Sequence, residues 1–237
     1  MKNFYVIGNP VDHSLSPHVF KYIFSKLNIK ATYSSYQPKS YQDFENFLYR
    51  KTFNFSGLNI TLPYKIKAFN LVDNHDEFST TSKTINFIKN INNNLLGYNT
   101  DSYGFIHMLD KLNIDNLDVL ILGNGGSART VVHSLLKKND SNIYIWGRNK
   151  DNVDMFIKNI NSKNVNPYTN ASLNTFIVIN CLPLIIDENT IEIIIEDILP
   201  RHSELFIDLN YLETLFTKKL IENKINEILG LDMFIFQ

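Results

Sequence analysis

The chain has 237 residues, of which 44% are hydrophobic, enough for one large domain or two small ones with buried cores. Lysine and arginine total 23 against 24 aspartates and glutamates, so no general positive charge would attract nucleic acid, and we expect no such partner. The single cysteine and six scattered histidines predict neither a disulfide nor a metal site. No apolar run is long enough for a signal peptide or a bilayer span, so we expect a cytoplasmic protein that does not bind membranes.

The N-terminal residues predict a strand followed by a helix. An apolar run at 4–7 is typical of a buried strand, and glycine and proline end it. Ser16 is a favoured N-cap residue before a helix predicted over 17–27. The hydroxyls of Ser14 and Ser16 are thus expected beside a helix N-terminus, where an anion is stabilised. In the alternative interpretation, Ser16 only caps the helix and Ser14 faces water.

A second polar cluster is expected where the third strand ends. Strand, helix and strand are predicted in turn at 31–36, 41–50 and 58–61, which indicates a small α/β unit. Asn59 and Thr61 are two residues apart and share a face of the last strand, and Lys65 follows in the next turn. Ligands bind at the carboxyl ends of strands in open α/β sheets, so these side chains form a candidate site. Alternatively, Lys65 is a solvated surface residue.

Two more polar residues follow a turn-rich section at 73–82. Strands are predicted at 84–88 and 95–98. Asn86 interrupts the first of these strands, and if it is buried it needs polar partners from the protein or from a ligand. Asp101 is predicted to begin the next helix, whose dipole would stabilise its carboxylate. The competing interpretation is that Asp101 serves only as a helix cap.

The stretch 117–131 predicts a strand, a tight turn and a helix, with an apolar run typical of a buried parallel strand. Three residues occupy the positions of the G-x-G-x-x-G/A dinucleotide fingerprint: Gly123, Gly125 and Ala128. Gly126 adds conformational freedom to the turn, and the helix opening near Ser127 directs N–H groups at a pyrophosphate. The alternative is an ordinary glycine turn between a strand and a helix.

The residue expected to contact the cofactor ribose is basic. A strand is predicted at 142–146, and in dinucleotide-binding folds an Asp or Glu about 20 residues after the first glycine binds the ribose 2′-hydroxyl. Here Arg148 occupies that position, with Lys150 nearby. A guanidinium suits a 2′-phosphate, so the sequence favours NADP over NAD. Alternatively, Arg148 is a solvated surface residue.

Four motifs, in this order and at approximately this spacing, resemble the shikimate dehydrogenase family: His13-Ser14-Leu15-Ser16-Pro17, Asn59-Ile60-Thr61-Leu62-Pro63-Tyr64-Lys65, Gly97-Tyr98-Asn99-Thr100-Asp101 and Gly123-Asn124-Gly125-Gly126. The resemblance extends along the whole chain. It implies an α/β fold with an N-terminal substrate domain over 1–101, an NADP-binding Rossmann domain over 102–212, and a C-terminal segment over 213–237 that returns toward the substrate domain. The active site is expected in the cleft between the two domains.

The resemblance also implies the reaction, the reversible NADP-dependent reduction of 3-dehydroshikimate to shikimate in chorismate and aromatic amino acid biosynthesis. We expect a monomer or a homodimer. Reduction of a ketone by hydride transfer creates an alkoxide, which needs a proton and nearby positive charge. Lys65 can supply both, and a nearby Asp101 carboxylate would favour its charged form.

Roles for individual residues follow from the resemblance. Lys65 and Asp101 would be the catalytic pair. The substrate-binding residues would be Ser14, Ser16, Asn59, Thr61, Asn86, Tyr211 and Gln237. The cofactor-binding residues would be Gly123, Gly125, Gly126, Ser127, Ala128, Arg148, Lys150 and Asn180.

The C-terminal half, with strands predicted at 176–179 and 205–209, departs from the family pattern. After Asn180 and Pro183, the family's Gly-Met pair is replaced by Ile185-Ile186, which alters the expected nicotinamide pocket. The Asn-Pro expected after Tyr211 is absent, which indicates a short deletion. The sequence ends at Gln237, where family members continue into a further helix, so we expect weaker binding by Gln237 and a looser cleft.

Two alternative functions stay open. A quinate or shikimate/quinate dehydrogenase of the same family is one, and Ser14 and Arg148 argue against it. A non-catalytic, nucleotide-binding remnant or regulatory protein is the other, suggested by the altered loop after Asn180. The presence of Lys65 and Asp101 argues against the second alternative.

Overall fold

A computed structural model of the chain describes residues 1–49, 54–112, 118–138, 141–169, 176–199, 203–223, 225 and 227–237. Within these ranges the chain divides into two units, Met1–Thr100 and Asp101–Gln237. Arg50, the last residue of the helix predicted over 41–50, and Leu117, the first residue of the predicted nucleotide-binding stretch, lie outside the described residues. A search of the described helices finds none that is both long enough and apolar enough to span a membrane.

The first unit is a mixed sheet of six strands with helices beside it. Its elements are β1 (Lys2–Ile7), α1 (Ser16–Lys26), β2 (Ala31–Tyr36), α2 (Tyr41–Tyr49), β3 (Gly57–Ile60), α3 (Lys65–Phe69), β4 (Asn74–His75), α4 (Glu77–Ser82), β5 (Phe87–Ile91) and β6 (Asn94–Tyr98). The strand order is β2-β1-β3-β5-β6-β4. Strands β1, β2 and β3 run parallel, whereas β5 is antiparallel to both β3 and β6.

Two apolar clusters hold the first unit together. Phe44 and Phe47 of α2 pack with Leu58 and Ile60 of β3 in the larger cluster. A smaller cluster joins strand residues to α1, where Phe20 stacks on the buried ring of Tyr33 with 4.6 Å between ring centroids. The alternation of apolar strands and amphipathic helices therefore produces the predicted α/β arrangement.

The section at 73–82 is more regular than its polar composition indicates. It contains β4 and α4 as well as turns, because Asp76 caps α4 by accepting a hydrogen bond from the Ser79 amide at 2.8 Å. The following strand begins at Phe87, so the prediction of a strand over 84–88 is wrong at its start. Asn86 lies just before β5 and not within it.

The second unit is a six-stranded sheet in which every strand pairing is parallel. Its elements are α5 (Thr100–Leu112), β7 (Asp118–Leu122), α6 (Gly126–Lys138), β8 (Ile143–Trp146), α7 (Lys150–Ile160), β9 (Val165–Pro167), β10 (Phe176–Asn180), α8 (Glu188–Ile193) with a π-helical turn (Ile194–Ile198), β11 (Ser203–Asp208), α9 (Leu215–Glu222), β12 (Glu227–Leu229) and α10 (Leu231–Phe236). The order β12-β11-β10-β7-β8-β9 is that of doubly wound dinucleotide-binding folds. The predicted Rossmann architecture is confirmed.

Apolar cores on both faces explain the parallel sheet. Helices α5, α6 and α7 supply one core, and α8 and α9 supply the other. Phe105, Met108 and Leu109 of α5 are buried, as their helical spacing predicts. Strands such as β7 are buried from both sides, which is why their sequences are continuously apolar.

Candidate active site

In the first unit, the loops that carry the candidate residues leave the sheet at a shared edge. Strands β1 and β3 are adjacent and parallel, so the chain leaves both at the same side. The two exits are joined by hydrogen bonds from the Asn9 amide to the Leu62 carbonyl and from the Thr61 amide to the Ile7 carbonyl, at 2.9 and 2.8 Å. A Cβ on Gly8 would lie 2.3 Å from Cγ2 of Thr61, so only glycine permits this approach.

The serine pair lies at the N-terminus of α1, but Ser16 does not cap this helix. The cap residue is Leu15, which makes no side-chain cap hydrogen bond, and Ser16 is already the first helical residue. The Ser14 hydroxyl instead accepts a hydrogen bond from the Ser16 amide at 3.3 Å. The prediction of a Ser16 cap is therefore wrong, because the chain enters the helical conformation one residue earlier. Ser16 is buried and Ser14 is half-buried.

The polar residues after β3 are held by their neighbours. The buried Tyr33 donates its hydroxyl hydrogen to Oδ1 of Asn59 at 2.7 Å, which fixes the side-chain amide of Asn59. Strand β3 ends at Ile60, so Thr61 lies one residue beyond the strand, a small correction to the predicted bounds. Lys65 is half-buried and is the first residue of α3.

Asn86 reaches the same edge from the antiparallel side of the sheet. Its carbonyl oxygen accepts a hydrogen bond from the Ile60 amide at 2.7 Å. Its side chain makes a reciprocal pair with Thr100, accepting from the Thr100 amide at 2.7 Å and donating to the Thr100 hydroxyl at 2.8 Å. Thr100 is therefore a protein partner of the kind that the sequence required for a buried Asn86. Asp101 follows directly in the first turn of α5 and is buried.

In the second unit, the glycine turn lies at the point where the strand order reverses. Strands β7 and β10 are central neighbours, and the Cys181 amide donates to the Leu122 carbonyl at 2.9 Å. Gly123 has φ +110°, and a Cβ there would lie 3.3 Å from the Cys181 backbone. A side chain at Gly123 would therefore strain the backbone and crowd the loop after β10.

Gly125 differs from Gly123 because no described atom lies within 4 Å of the position that a Cβ would occupy. The open space lies directly before α6, which begins at Gly126 and includes Ser127 and the buried Ala128. Exposed backbone next to a helix N-terminus fits a pyrophosphate. These residues therefore fit the phosphate groups of a dinucleotide.

Arg148 follows β8 and extends toward solvent. Its Nη1 lies 3.3 Å from Oδ2 of Asp187, and the two side chains are 68% and 54% exposed. Asp187 also caps α8, and the pKa of its carboxyl is lowered by hydrogen bonds from the Thr190 hydroxyl and amide, with a smaller effect of Arg148. Lys150 is exposed at the start of α7. The Arg148–Asp187 contact was not anticipated from the sequence.

A buried aspartate, which sequence reasoning missed, lies at the end of β11. Asp208 is fully buried, and its Oδ1 accepts hydrogen bonds from the backbone amide and side chain of Asn210 at 2.8 and 2.9 Å. Its Oδ2 has no hydrogen-bond partner within the described part of the chain. Burial raises the pKa of Asp208 to about 6, although the hydrogen bonds from Asn210 lower it. An aspartate directly after the apolar run at 205–207 was the sequence signal available.

Tyr211 and Gln237 are held by the short C-terminal helix α10. The ring of Tyr211 lies 4.4 Å from the ring of Phe234, centroid to centroid. A Cβ on Gly104 of α5 would lie 2.4 Å from the Met233 carbonyl oxygen and 3.1 Å from the Gln237 nitrogen, so glycine lets α10 approach α5 closely. The backbone nitrogen of Gln237 therefore lies close to Gly104, three residues after Asp101 in α5.

The fold and these groups define an α/β protein with a dinucleotide-binding unit. Residues 6–88 match the family model described as the shikimate dehydrogenase substrate binding domain. Among curated proteins, the chain is 31% identical to "Shikimate dehydrogenase (NADP(+))" of Nitrosopumilus maritimus, with all of this chain and 90% of the relative aligned. The protein of the same name from Clostridium perfringens is also 31% identical, with 100% and 89% aligned. The chain belongs to the shikimate dehydrogenase family.

Solved structures agree with this assignment. The crystal structure of shikimate dehydrogenase from Aquifex aeolicus has a TM-score of 0.82 and 25% identity, and the match covers all of this chain and 89% of that one. A shikimate dehydrogenase solved in complex with NADP+ has a TM-score of 0.79 and 26% identity, with 100% and 86% covered. The resemblance stated from the sequence motifs is therefore confirmed.

Proposed function

We propose that this protein is an enzyme that catalyses the reversible NADP-dependent reduction of 3-dehydroshikimate to shikimate, a step of chorismate and aromatic amino acid biosynthesis. The observation that carries the proposal is the match of the whole chain to relatives named for this activity and this cofactor. The fit of the glycine turn to a dinucleotide supports it.

In the proposed reaction, bound NADPH supplies the hydride, and the chain supplies binding groups and a proton. Lys65 donates the proton to the oxygen that becomes the new hydroxyl, and its positive charge stabilises the developing alkoxide. Asp101 keeps Lys65 charged and oriented. Buried Asp101 and half-buried Lys65 both follow short loops at strand ends, where rigid elements fix their backbone.

Substrate binding is proposed for residues of both units. The hydroxyls of Ser14 and Ser16 bind the carboxylate beside the N-terminus of α1. The ring hydroxyls are held by polar side chains that the protein has already oriented, namely Asn59 by Tyr33 and Asn86 by Thr100, together with Thr61, Tyr211 and Gln237. Preorganised donors and acceptors lower the cost of ordering the site on binding.

We propose a separate binding role for each successive segment of the chain. Residues 1–101 bind substrate, residues 102–212 bind NADP and contribute Tyr211 to the substrate site, and residues 213–237 contribute Gln237. We also propose that the enzyme is a cytoplasmic monomer or homodimer, with the single Cys181 consistent with a reducing compartment. Cofactor contacts are proposed for the turn residues Gly123, Gly125, Gly126, Ser127 and Ala128, for Arg148 and Lys150 at the 2′-phosphate, and for Asn180.

A direct assay tests the proposed function. Purified protein is mixed with shikimate and NADP+, and NADPH formation is followed by absorbance, with NAD+ and quinate as matched alternatives. We expect turnover with shikimate and NADP+ that exceeds turnover with every other pair. Folded protein that binds NADP+ and turns over none of the pairs would contradict the proposal and favour a non-catalytic role.

Arg148→Ala tests the cofactor preference. We expect the Kd for NADP+ to rise about 10- to 100-fold, because a charge-assisted hydrogen bond contributes roughly 1.5–3 kcal/mol. The Kd for NAD+, which has no 2′-phosphate, should stay the same and is the internal control. Lys158→Ala, which removes an exposed cation of α7, serves as the control variant. An equal loss of affinity for both cofactors would exclude a specific contact of Arg148 with the 2′-phosphate.

A further inference from the structure

Asp208 lies at the carboxyl edge of the second sheet, where two neighbouring loops begin. It ends β11, and its neighbour Asn180 ends β10, directly paired with it in the parallel register. The chain leaves β10 toward the loop at 181–187 and leaves β11 toward the turn that contains Tyr211. Ligands of doubly wound folds bind at this edge of the sheet.

Asn210 forms hydrogen bonds with Asp208, with the loop after β10 and with the residue that caps α10. Its amide and side chain both donate to Oδ1 of Asp208, and its side chain also donates to the Leu182 carbonyl at 3.4 Å. The Asn210 carbonyl accepts from the Gly230 amide at 3.1 Å, at the residue that caps α10. On the other side, Oδ1 of Asn180 accepts from the Leu182 amide at 3.0 Å. Asp208 is therefore linked through Asn210 to the loop after β10 and to the beginning of α10.

Residues of the same two loops, together with α8 and the start of α9, line a cavity. Its volume is about 280 Å3, and its lining comes from 184–186 and Ile191 on one side and from 212–216 on the other. The polar contacts of Asn210 with Asp208 and Leu182 involve residues that precede both lining segments in the chain. In the loop after β10, Ile185 is 78% exposed, whereas Leu182 and Ile186 pack against the apolar core beside α8 and α9.

We propose that Asp208 is a positioning residue of this enzyme: through Asn210 it holds the loop at 181–184, the turn carrying Tyr211 and the start of α10 in their binding arrangement. The proposal rests on the proposed function, because the loops it orders are those expected to contact nicotinamide and substrate. Asp208 itself touches neither ligand. The Asp208 carboxyl is buried and one of its oxygens has no partner among the described residues, which lowers the stability of the fold. A destabilising residue of this kind is retained where function needs the arrangement that it supports.

Two substitutions of similar volume separate hydrogen bonding from packing. Asp208→Val removes the acceptor for Asn210, whereas Asp208→Asn retains a carbonyl oxygen in the same place. We expect Asp208→Val to raise the KM for shikimate and the Kd for NADP+ about tenfold or more with a much smaller change in kcat. Asp208→Asn should recover most of the wild-type values. Asp154→Asn, at an exposed carboxyl of α7, is the control.

Hydrogen exchange of the unliganded protein gives a readout that needs no turnover. In Asp208→Val we expect faster exchange in peptides covering 181–184, 209–212 and the start of α10, and unchanged exchange in α6. Asn210→Ala, which is half-buried and keeps its backbone bond to Gly230, should reproduce the change at 181–184 but not at α10. This second variant keeps the test valid if Asp208→Val does not fold.

Three results would overturn the proposal. The first is exchange in these peptides that equals wild type in both Asp208→Val and Asn210→Ala. The second is a Val variant whose KM and Kd equal those of the wild type, which would leave Asp208 without a positioning role. The third is an Asn variant as impaired as the Val variant, since the retained acceptor would then do nothing. A wild-type protein that lacks shikimate turnover would contradict the proposed function instead, and the exchange experiment would still test Asp208.

Discussion

Lys65→Ala is expected to lower kcat for shikimate oxidation by about 10^2- to 10^4-fold, the range typical of a lost general acid or base. In the oxidation direction the substrate hydroxyl must lose a proton while hydride leaves, and in reduction the alkoxide must gain one. Lys65 is the proposed carrier of that proton in both directions. The Kd for NADP+, measured by titration of the fluorescence of the single tryptophan Trp146, should change by less than about twofold.

Two companion variants make the Lys65 prediction specific. Lys67→Ala removes a lysine from the same helix, where Lys67 forms a partly exposed ion pair with Glu45 at 3.0 Å. Such pairs contribute roughly 0–1 kcal/mol, so activity should stay near wild type. Lys65→Arg retains the charge, but a guanidinium does not release its proton, so kcat should stay low while shikimate binding is preserved. Unchanged turnover in Lys65→Ala would remove Lys65 from the mechanism.

The parallel sheet of the second unit could be predicted because its signals are local. Strands buried on both faces must be continuously apolar, and 119–122 and 176–179 both are. Gly123 needs a positive φ, which the sequence indicates by glycine itself. The remaining fingerprint positions then place the helix and its phosphate site.

The sequence predicts the ends of helices and strands less accurately than their existence, because hydrogen bonds to distant residues determine where an element begins and ends. The apolar neighbours of Asn86 predict that it lies in a strand, yet its side chain pairs with Thr100, which is 14 residues away. The residue type of Ser16 predicts a cap, yet the helix starts one residue earlier. Asp76 orders a section that by composition is only polar. Neither residue propensity nor hydrophobic periodicity identifies these hydrogen-bond partners.

Asp208 shows a different limit of sequence reasoning. Its pKa of about 6 lies above the ordinary 3.8, so the ionised carboxylate is less stable in the folded protein than in the unfolded chain. The difference lowers the free energy of unfolding by about 3 kcal/mol above pH 6, and this cost disappears as the pH falls through 6 toward 4. An aspartate directly after the apolar run at 205–207 does not by itself show whether its carboxyl is buried. The role of Asp208 becomes visible only when its burial and its bonds to Asn210 are seen together.

Gly125→Val is expected to abolish cofactor binding without unfolding the protein. No described atom lies within 4 Å of the added Cβ, so there is open space at this position and the melting temperature should stay close to wild type. The side chain would occupy the open space before α6, where the proposed pyrophosphate must contact the backbone. We therefore expect the Kd for NADP+ to rise at least about 100-fold, equal to about 2.7 kcal/mol.

Gly123→Ala is the matched comparison in the same turn. There the backbone has φ +110° and the Cβ would lie 3.3 Å from the Cys181 backbone, so the variant should lose roughly 1–3 kcal/mol of stability. The two glycines thus separate two reasons for having no side chain: Gly123 serves the conformation of the turn, and Gly125 serves the approach of a ligand. NADP+ affinity near wild type in a folded Gly125→Val protein would mean that the pyrophosphate does not bind at this turn. Loss of NADP+ binding with an unchanged melting temperature would assign the open space before α6 to the cofactor.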